Sequence, residues 1–345
     1  MKYRFYTTSK KAWQAMLKEI NLATKSIYLE MYIFLDDNGE NYDFISALKE
    51  KAKQGLDVSI IADVYGSSKI SNKTIKSLRE SGAEFIFFSN LLRRTHRKIL
   101  IVDEKVAFTG GVNINSKIID WKDLQIKISG PIVKPFLKSF AKGYKLAGGK
   151  KEAILKYNKI SFGRRIKALV LDSISSKDKK YFLPDYYIDK VLEAEKIINI
   201  VTPYLAPPRK LLVAIDTARR KGVEVKIIIP NDTDIKMLNK VNFLNACRLS
   251  AMGVQFFLTQ SMNHAKVLLI DNKLALVGSQ NMDVLSFNFN IETGLFFSQR
   301  KAVADLKNIV DKWEEEAAPF NFKDKKLSFM DKLLIFFIKL FYPIF

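Results

Sequence analysis

The sequence contains one cysteine, two histidines and no long apolar run near its start. Cys247 cannot form an intramolecular disulfide, and a lone cysteine fits a reducing compartment. It falls in a predicted helix, where we expect it to be a small core residue. The polar start, residues 1–5, and the absence of a following apolar run predict neither a secretory signal nor an N-terminal transmembrane helix.

The two histidines stand in the same motif, H-x-K-x4-D, and each motif is followed at a matched offset by an asparagine. One such motif in a lysine-rich chain would be weak evidence, but two matched copies indicate chemistry rather than packing. The matched residues are His96, Lys98, Asp103 and Asn113 in the first copy, and His264, Lys266, Asp271 and Asn281 in the second.

Each H-x-K is followed by a short apolar run, residues 99–102 and 267–270, which predicts a strand buried on both faces of a sheet. Side chains alternate along a strand, so the histidine and the lysine of each copy point the same way. If the two halves face each other, two imidazoles and two ammonium groups surround one pocket.

That set of groups suits attack on a phosphodiester. One neutral histidine attacks phosphorus, the other protonates the departing oxygen, and Lys98 and Lys266 stabilise charge on the phosphoryl oxygens. Asn113 and Asn281 add uncharged donors to the same oxygens. Because the lysines supply the positive charge, we expect no metal and no other cofactor.

A nucleophilic histidine also needs an acceptor on its other ring nitrogen, so that the correct tautomer faces the substrate. The sequence offers one carboxylate in each half at a similar distance. Asp123 lies 27 residues after His96, and Glu292 lies 28 residues after His264. We expect these two carboxylates to orient the imidazoles from behind.

The repeat extends beyond the motifs, because strand and helix patterns alternate in the same order in both halves. This rhythm predicts an α/β fold of two pseudo-twofold-related halves, each a mixed, largely parallel sheet flanked by helices. The length and the hydrophobic fraction of 48% allow each half its own core. The predicted segments are a first half at 1–147, a basic linker at 148–180, a second half at 181–325 and a C-terminal amphipathic helix at 326–345.

Basic residues outnumber acidic ones by 57 to 36, giving a formal net charge of +21, and they cluster between residues 134 and 180. The cluster is either a solvated linker or a patch attracted to polyanions, such as an anionic membrane or nucleic acid. Residues 327–345 favour the membrane, because on a helix their lysines form a narrow polar stripe beside a wide apolar face. Their uncharged run is too short to cross a hydrocarbon core of about 30 Å, so we expect a helix lying in the interface. A terminal helix that covers the protein's own core is the alternative.

With its two motifs, the chain resembles the phospholipase D superfamily, and within it the bacterial cardiolipin synthases. The resemblance covers most of the chain outside the linker and the tail. Two positions depart from the usual pattern: Leu285 stands where an arginine is common, and Thr95 where an asparagine often precedes the first motif. The stretches that carry the resemblance are 32–37, 63–67, 96–103, 108–113, 121–123 and 129–131 in the first half, and 202–204, 264–266, 277–283 and Ser286 in the second.

The resemblance implies a phosphatidyltransferase that makes cardiolipin from phosphatidylglycerol, or from a second phospholipid, through a phosphatidyl-histidine intermediate. It implies His96 as nucleophile and His264 as acid and then base, with the reverse assignment open. Asp103 and Asp271 belong to the family motif, with either a chemical or a structural hydrogen-bonding role.

The same resemblance implies anionic phospholipids, phosphatidylglycerol and cardiolipin, as partners. It implies a peripheral or monotopic protein on the cytoplasmic face of a bacterial cell membrane. Because two halves complete one site, a monomer would suffice. Two alternatives share the catalytic residues: a phospholipase D that releases phosphatidic acid, and a nuclease of the superfamily, which the apolar tail disfavours.

Overall fold

The computed structural model describes residues 1–37, 39–160, 168–174, 182–320 and 333. These residues form two compact units. The first unit contains residues 1–174 together with 277–279 and 291–296, and the second contains the other described residues. Within the described residues, no helix is both long enough and apolar enough to span a bilayer. The predicted interface helix at 326–345 lies outside the described residues except for Leu333, so it stays a prediction. Residues 161–167 and 175–180 of the predicted basic linker also lie outside the described residues, and the linker likewise stays a prediction.

Strands and helices alternate along most of the chain. The strands are β1 (Lys2–Thr8), β2 (Ser26–Met31), β3 (Asp57–Asp63), β4 (Glu84–Phe88), β5 (Lys98–Val102), β6 (Val106–Gly110), β7 (Lys122–Ser129), β8 (Ala168–Asp172), β9 (Ile197–Val201), β10 (Leu205–Ala206), β11 (Glu224–Pro230), β12 (Gln255–Thr259), β13 (Val267–Ile270), β14 (Leu274–Gly278), β15 (Met282–Asp283), β16 (Thr293–Phe297) and β17 (Ala318–Phe320). The α-helices are α1 (Ser9–Leu22), α2 (Phe44–Lys53), α3 (Asn72–Glu80), α4 (Val133–Leu146), α5 (Glu152–Leu155), α6 (Leu183–Leu192), α7 (Arg209–Arg220), α8 (Lys236–Ala251), α9 (Val284–Asn288) and α10 (Arg300–Glu315).

The first unit is built on a mixed sheet in the order β1-β7-β6-β5-β2-β3-β4. Strands β1, β2, β3, β4 and β6 run in one direction, while β5 and β7 run in the other. Helices α2 and α3 connect the parallel strands β2, β3 and β4, as parallel pairing requires. The α/β class and the mixed sheet, in which five of the seven strands run in one direction, are therefore confirmed, although only β2–β3 and β3–β4 are parallel neighbours.

Helices cover both faces of this sheet. Helix α1 buries Trp13 and Met16 in one apolar cluster with residues of α2, α3, β2 and β3. On β2 itself, Tyr28 stacks on Phe140 of α4 with ring centroids 5.3 Å apart. Strands β2 and β5 are consequently buried along their whole length, which explains their continuous apolar sequence. This burial fixes the strand that carries the first motif.

The second unit repeats the arrangement around its own motif strand. Strands β9, β11 and β12 are parallel neighbours, connected by α7 and α8. Strand β13 pairs antiparallel with β9, as β5 does with β2, and β17 pairs antiparallel with β12. The repeat of strand and helix order that the sequence predicts is confirmed.

Each motif strand ends in a tight turn whose two central residues have positive φ. Asp103 and Glu104 have φ of 52° and 58°, and Asp271 and Asn272 both have φ of 53°. In each turn the residue after this pair donates its N–H to the last residue of the strand, at 3.0 Å in the first unit and 2.9 Å in the second. Two consecutive positive φ values are typical of the type I′ turns that join antiparallel strands, and Asp and Asn tolerate them best. The last residue of H-x-K-x4-D is thus the first residue of a hairpin turn.

The Asp103 and Asp271 carboxylates bind backbone amides at the start of the neighbouring strand. Asp103 accepts from three consecutive N–H groups, 24–26, over 2.7–3.1 Å. Asp271 accepts from the N–H groups of 195–197 over 2.7–3.0 Å. Partial burial raises the pKa of each carboxyl, but the backbone hydrogen bonds outweigh it, so both pKa values lie below the usual 3.8. Each carboxylate thereby holds its turn against the first residues of β2 or β9.

We expect Asp103→Asn to lower the free energy of unfolding at pH 7 by about 1–3 kcal/mol, because a carboxylate that accepts three amide hydrogens is lost. Asparagine keeps the positive φ, so the backbone turn is preserved. A carboxyl whose pKa is depressed by folding stabilises the fold above its unfolded pKa. That contribution to stability is lost as the pH falls through the lower pKa that the carboxyl has in the folded state.

The difference between wild type and variant in urea unfolding should therefore be largest near neutral pH and shrink below about pH 3.8. A pH-independent difference would contradict this account of Asp103.

Candidate active site

His96 lies two residues before the start of β5, at the edge of the sheet where β2 ends. The position follows from the register, in which Lys98 of β5 pairs with Met31 of β2. The backbone N–H of His96 donates to the carbonyl of Ile291 over 2.9 Å, and the N–H of Ile291 donates to the carbonyl of Arg94 over 2.8 Å. The backbone around His96 is thereby fixed from both sides.

The imidazole of His96 is held through Nδ1 inside the first unit. Nδ1 lies 3.0 and 3.1 Å from the two carboxylate oxygens of Glu292 and 3.1 Å from the carbonyl oxygen of Ser279. All of these neighbours are acceptors, so Nδ1 donates and Nε2 carries the lone pair when the ring is neutral. Tyr32 packs edge-on against the ring, with centroids 4.8 Å apart. The arrangement leaves Nε2 as the nitrogen able to attack or to exchange a proton.

Glu292 is fully buried and is itself held on several sides. Ser279 Oγ donates to its carboxylate, and the Glu292 backbone N–H donates to Ser173 Oγ over 2.7 Å. Burial raises the pKa of Glu292, but the charge and hydrogen bond of His96, the charge of Lys98 and the Ser279 hydroxyl outweigh it. The pKa therefore lies below its usual value, and the carboxylate stays ionised opposite the imidazole.

Lys98 places a buried ammonium group on the same side of the strand as His96. Its Nζ donates to the His96 carbonyl over 2.6 Å and lies 5.1 Å from the ring centroid of Tyr32. The residue has no exposed surface. A desolvated ammonium attracts an anion much more strongly than a solvated one, so this position suits a phosphoryl oxygen.

The second unit reproduces this local geometry. Lys266 Nζ donates to the carbonyl of His264, and Tyr204 packs edge-on against the imidazole with centroids 6.1 Å apart. Both motif side chains are buried. Each unit therefore presents one aromatic-flanked imidazole with a buried ammonium two residues later.

The residue between histidine and lysine points away from these groups and differs between the units. Arg97 is buried against Glu30 of β2, with Nε–Oε1 and Nη2–Oε1 distances of 3.0 and 2.7 Å, and against Ser139 of α4. By register, the positions of Arg97 and Glu30 correspond to Ala265 and Val201 in the second unit, both buried. A buried ion pair and an apolar pair can serve equally well in a core. The middle residue of H-x-K is thus a packing position.

Asn113 and Asn281 differ in their surroundings. Asn113 Oδ1 accepts from the N–H of Ile33 over 3.2 Å, which occupies its acceptor. In the second unit, the buried amide atoms Asn281 Oδ1, Asn263 Nδ2 and both amide atoms of Gln280 have no hydrogen-bond partner among the described residues. Buried amide groups without hydrogen-bond partners are costly, so these atoms favour a polar ligand.

The structure changes the expected role of the carboxylates. Spacing assigns Glu292 to His264, but the structure places Glu292 on His96. Asp123 is buried in β7, where its Oδ1 accepts from the N–H of Leu124 over 2.7 Å. Asp103 and Asp271, expected among the catalytic residues, bind backbone amides at the far ends of β5 and β13. Seven residues of extended chain, about 23 Å, separate each from its histidine, so in the structure these carboxylates hold the turns and lie far from the imidazoles.

Sequence reasoning missed Tyr32, Tyr204 and Ser279. A usable signal existed for the tyrosines, because each follows the strand that pairs with the motif strand, β2 or β9, by one to three residues. In the described parts of the chain, no group of three or more His, Cys, Asp or Glu side chains is placed to hold a metal ion.

Comparison with known proteins identifies the family and the fold of this chain. The profile of the family described as "Cardiolipin synthase, PLD-like domain" matches residues 16–142 and 187–313. A cardiolipin synthase of Clostridium perfringens is 31% identical over 84% of this chain and 66% of its own length. A probable cardiolipin synthase of Bacillus subtilis is 28% identical over 85% of this chain and 62% of its own length. The chain thus spans just under two thirds of the length of these curated relatives.

Among solved structures, a phosphatidylserine synthase of Haemophilus influenzae superimposes with a TM-score of 0.77. The superposition covers 99% of this chain and 94% of the phosphatidylserine synthase chain, at 16% sequence identity. A polyphosphate kinase of Porphyromonas gingivalis superimposes with a TM-score of 0.65 over 98% of this chain and 53% of the kinase chain, at 15% sequence identity. At these identities the likeness concerns the fold. The two family matches, one around each H-x-K motif, show that the chain belongs to the phospholipase D-like cardiolipin synthase family.

Proposed function

We propose that this protein is a phosphatidyltransferase that makes cardiolipin from phosphatidylglycerol, or from a second phospholipid, through a covalent phosphatidyl-histidine intermediate and without a metal ion. The observation that carries the proposal is the buried contact between Glu292 and Nδ1 of His96. It fixes the tautomer that a nucleophilic imidazole requires. The names of the relatives support the lipid substrate.

In the proposed first step, Nε2 of His96 attacks the phosphorus of the donor lipid. The bond from phosphorus to the headgroup oxygen breaks, and His264 donates a proton to that oxygen, so glycerol leaves when phosphatidylglycerol is the donor. In the second step, His264 takes the proton of a hydroxyl on the acceptor lipid. That oxygen then attacks phosphorus and frees His96.

The remaining polar groups act on the phosphoryl oxygens. Lys98 and Lys266 stabilise the negative charge that grows on them, and Asn113 and Asn281 donate amide hydrogens. Glu292 holds the ring of His96 and balances the positive charge that the ring acquires on forming the intermediate. The proposed partners are anionic phospholipids on the cytoplasmic face of a bacterial membrane, approached by a peripheral monomer.

Purified protein incubated with phosphatidylglycerol vesicles in the presence of a metal chelator should yield cardiolipin and glycerol, because every group in the proposed reaction belongs to the chain. Lipid products resolved by mass spectrometry give the answer. Phosphatidic acid as the main product would make water the acceptor and replace transfer by hydrolysis. The absence of any lipid product would refute lipid chemistry and direct attention to nucleic acid substrates.

We expect Glu292→Gln to lower kcat by about 10²–10⁴-fold, because an amide neither enforces the Nδ1 tautomer nor balances the charge on His96. KM should change little, since Glu292 does not bind substrate. Glu80→Gln is the matched control, because the side chain of Glu80 in the same unit is 63% exposed. A Glu292 variant with near-native kcat would remove the carboxylate from the mechanism.

A further inference from the structure

Two adjacent leucines project from the first unit just before His96. Leu91 is 88% exposed and Leu92 is 69% exposed, the highest values among the large apolar side chains that the structure describes. They belong to the segment Ser89–Arg94 between β4 and the motif, which we call the leucine–arginine loop. A single exposed leucine on a protein surface is ordinary, but two consecutive ones at the tip of a loop indicate a contact with something apolar.

The leucine–arginine loop contains a hydrogen-bonded turn. Asn90 Oδ1 accepts from the backbone N–H groups of Leu92 and Arg93, both at 3.0 Å, which closes the turn below the leucines. At the base, the carbonyl of Arg94 accepts from Ile291, and the N–H of Thr95 donates to the buried carboxylate of Asp63 over 2.8 Å. The structure thus holds both leucine side chains out in solvent from a fixed base.

Cationic groups flank the apolar tip. Arg93 is exposed, and the guanidinium of Arg94 lies 4.7 Å from the ring centroid of Tyr65, which is itself exposed. Leucines followed by arginines and an amphipathic tyrosine match the layering of a bilayer, in which acyl chains lie below phosphates. The net charge of +21 adds a long-range attraction to an anionic surface.

Within each unit, exposed apolar side chains collect at the edge of the sheet where the motif strand begins. In the first unit these are Tyr65, Leu91 and Leu92, which follow the carboxyl ends of β3 and β4. In the second unit they are Ile235, directly before α8, and Met237 in the first turn of α8, both after β11. The remaining exposed large apolar residues described lie in helices: Leu22, Leu146 and Val213.

We propose that the leucine–arginine loop docks the first unit on an anionic phospholipid bilayer, with Leu91 and Leu92 in the acyl boundary and Arg93 and Arg94 on lipid phosphates. Docking here brings the lipid surface to the edge where His96 lies, so a headgroup phosphodiester reaches Nε2 without the lipid leaving the bilayer. The inference deepens the proposed function by naming how the substrate surface is met. It is independent of the predicted interface helix at 327–345.

The test is a probe placed on the loop of the full-length protein. Leu92→Cys and, as the matched control, Leu22→Cys are labelled with an environment-sensitive fluorophore in a Cys247→Ala background, since Leu22 is a 62% exposed leucine at the end of α1. Vesicles containing phosphatidylglycerol should shift the emission of the residue 92 probe to shorter wavelength and leave the residue 22 probe unchanged. Equal responses at both positions, or none at residue 92, would overturn the proposal.

A second measurement guards against a perturbing label. The unlabelled variant with Leu91→Ser and Leu92→Ser should bind the same vesicles about tenfold more weakly in co-sedimentation, because two apolar side chains no longer enter the bilayer. Leu22→Ser should bind like the wild type. Undiminished binding of the double variant would contradict docking by this loop.

Neither readout uses catalysis, so the two proposals fail separately. A shift at residue 92 in a protein that makes no cardiolipin would leave the docking surface in place and refute the proposed reaction. Cardiolipin formation without any shift would do the reverse.

Discussion

The proposed chemistry depends on one buried contact, between the carboxylate of Glu292 and Nδ1 of His96. An unpaired carboxylate without exposure would take up a proton, and an unpaired imidazole would have no preferred tautomer. Together they place the proton on Nδ1 and the lone pair on Nε2, while the Ser279 hydroxyl and the charge of Lys98 keep the carboxylate ionised. The surrounding strands fix both partners, because β5 is buried along its length and Ile291 binds the backbone of His96.

Much of the fold follows from sequence, because its signals are local. Apolar runs of four or five residues mark the buried strands, and Gly- or Asn-containing segments mark the turns between them. The H-x-K spacing requires that histidine and lysine share one side of a strand, and the structure shows this in both units. Repetition of the pattern then predicts a second copy of the same sheet edge, as β9 and β13 confirm.

The sequence could not predict contacts between residues that are far apart in the chain. Glu292 and His96 are 196 residues apart, and the carboxylate spacing within each half suggested a different pairing. The aspartates of the two motifs illustrate a second limit. A spacing repeated in both halves indicates that a carboxylate is needed but not what it binds, and only the hairpin geometry shows Asp103 and Asp271 binding backbone amides. The positions of Arg97 and Glu30 in the first unit are occupied by Ala265 and Val201 in the second. This correspondence is visible only from the strand register.

The proposed nucleophile is the imidazole that Glu292 holds. The most direct test uses His264→Ala with a phosphatidyl ester of p-nitrophenol, whose leaving group departs without a proton while the base for the second step is missing. Peptide mass spectrometry of the quenched protein should find a phosphatidyl adduct on His96. An adduct on another residue, or release of p-nitrophenol with no adduct at all, would contradict the assignment.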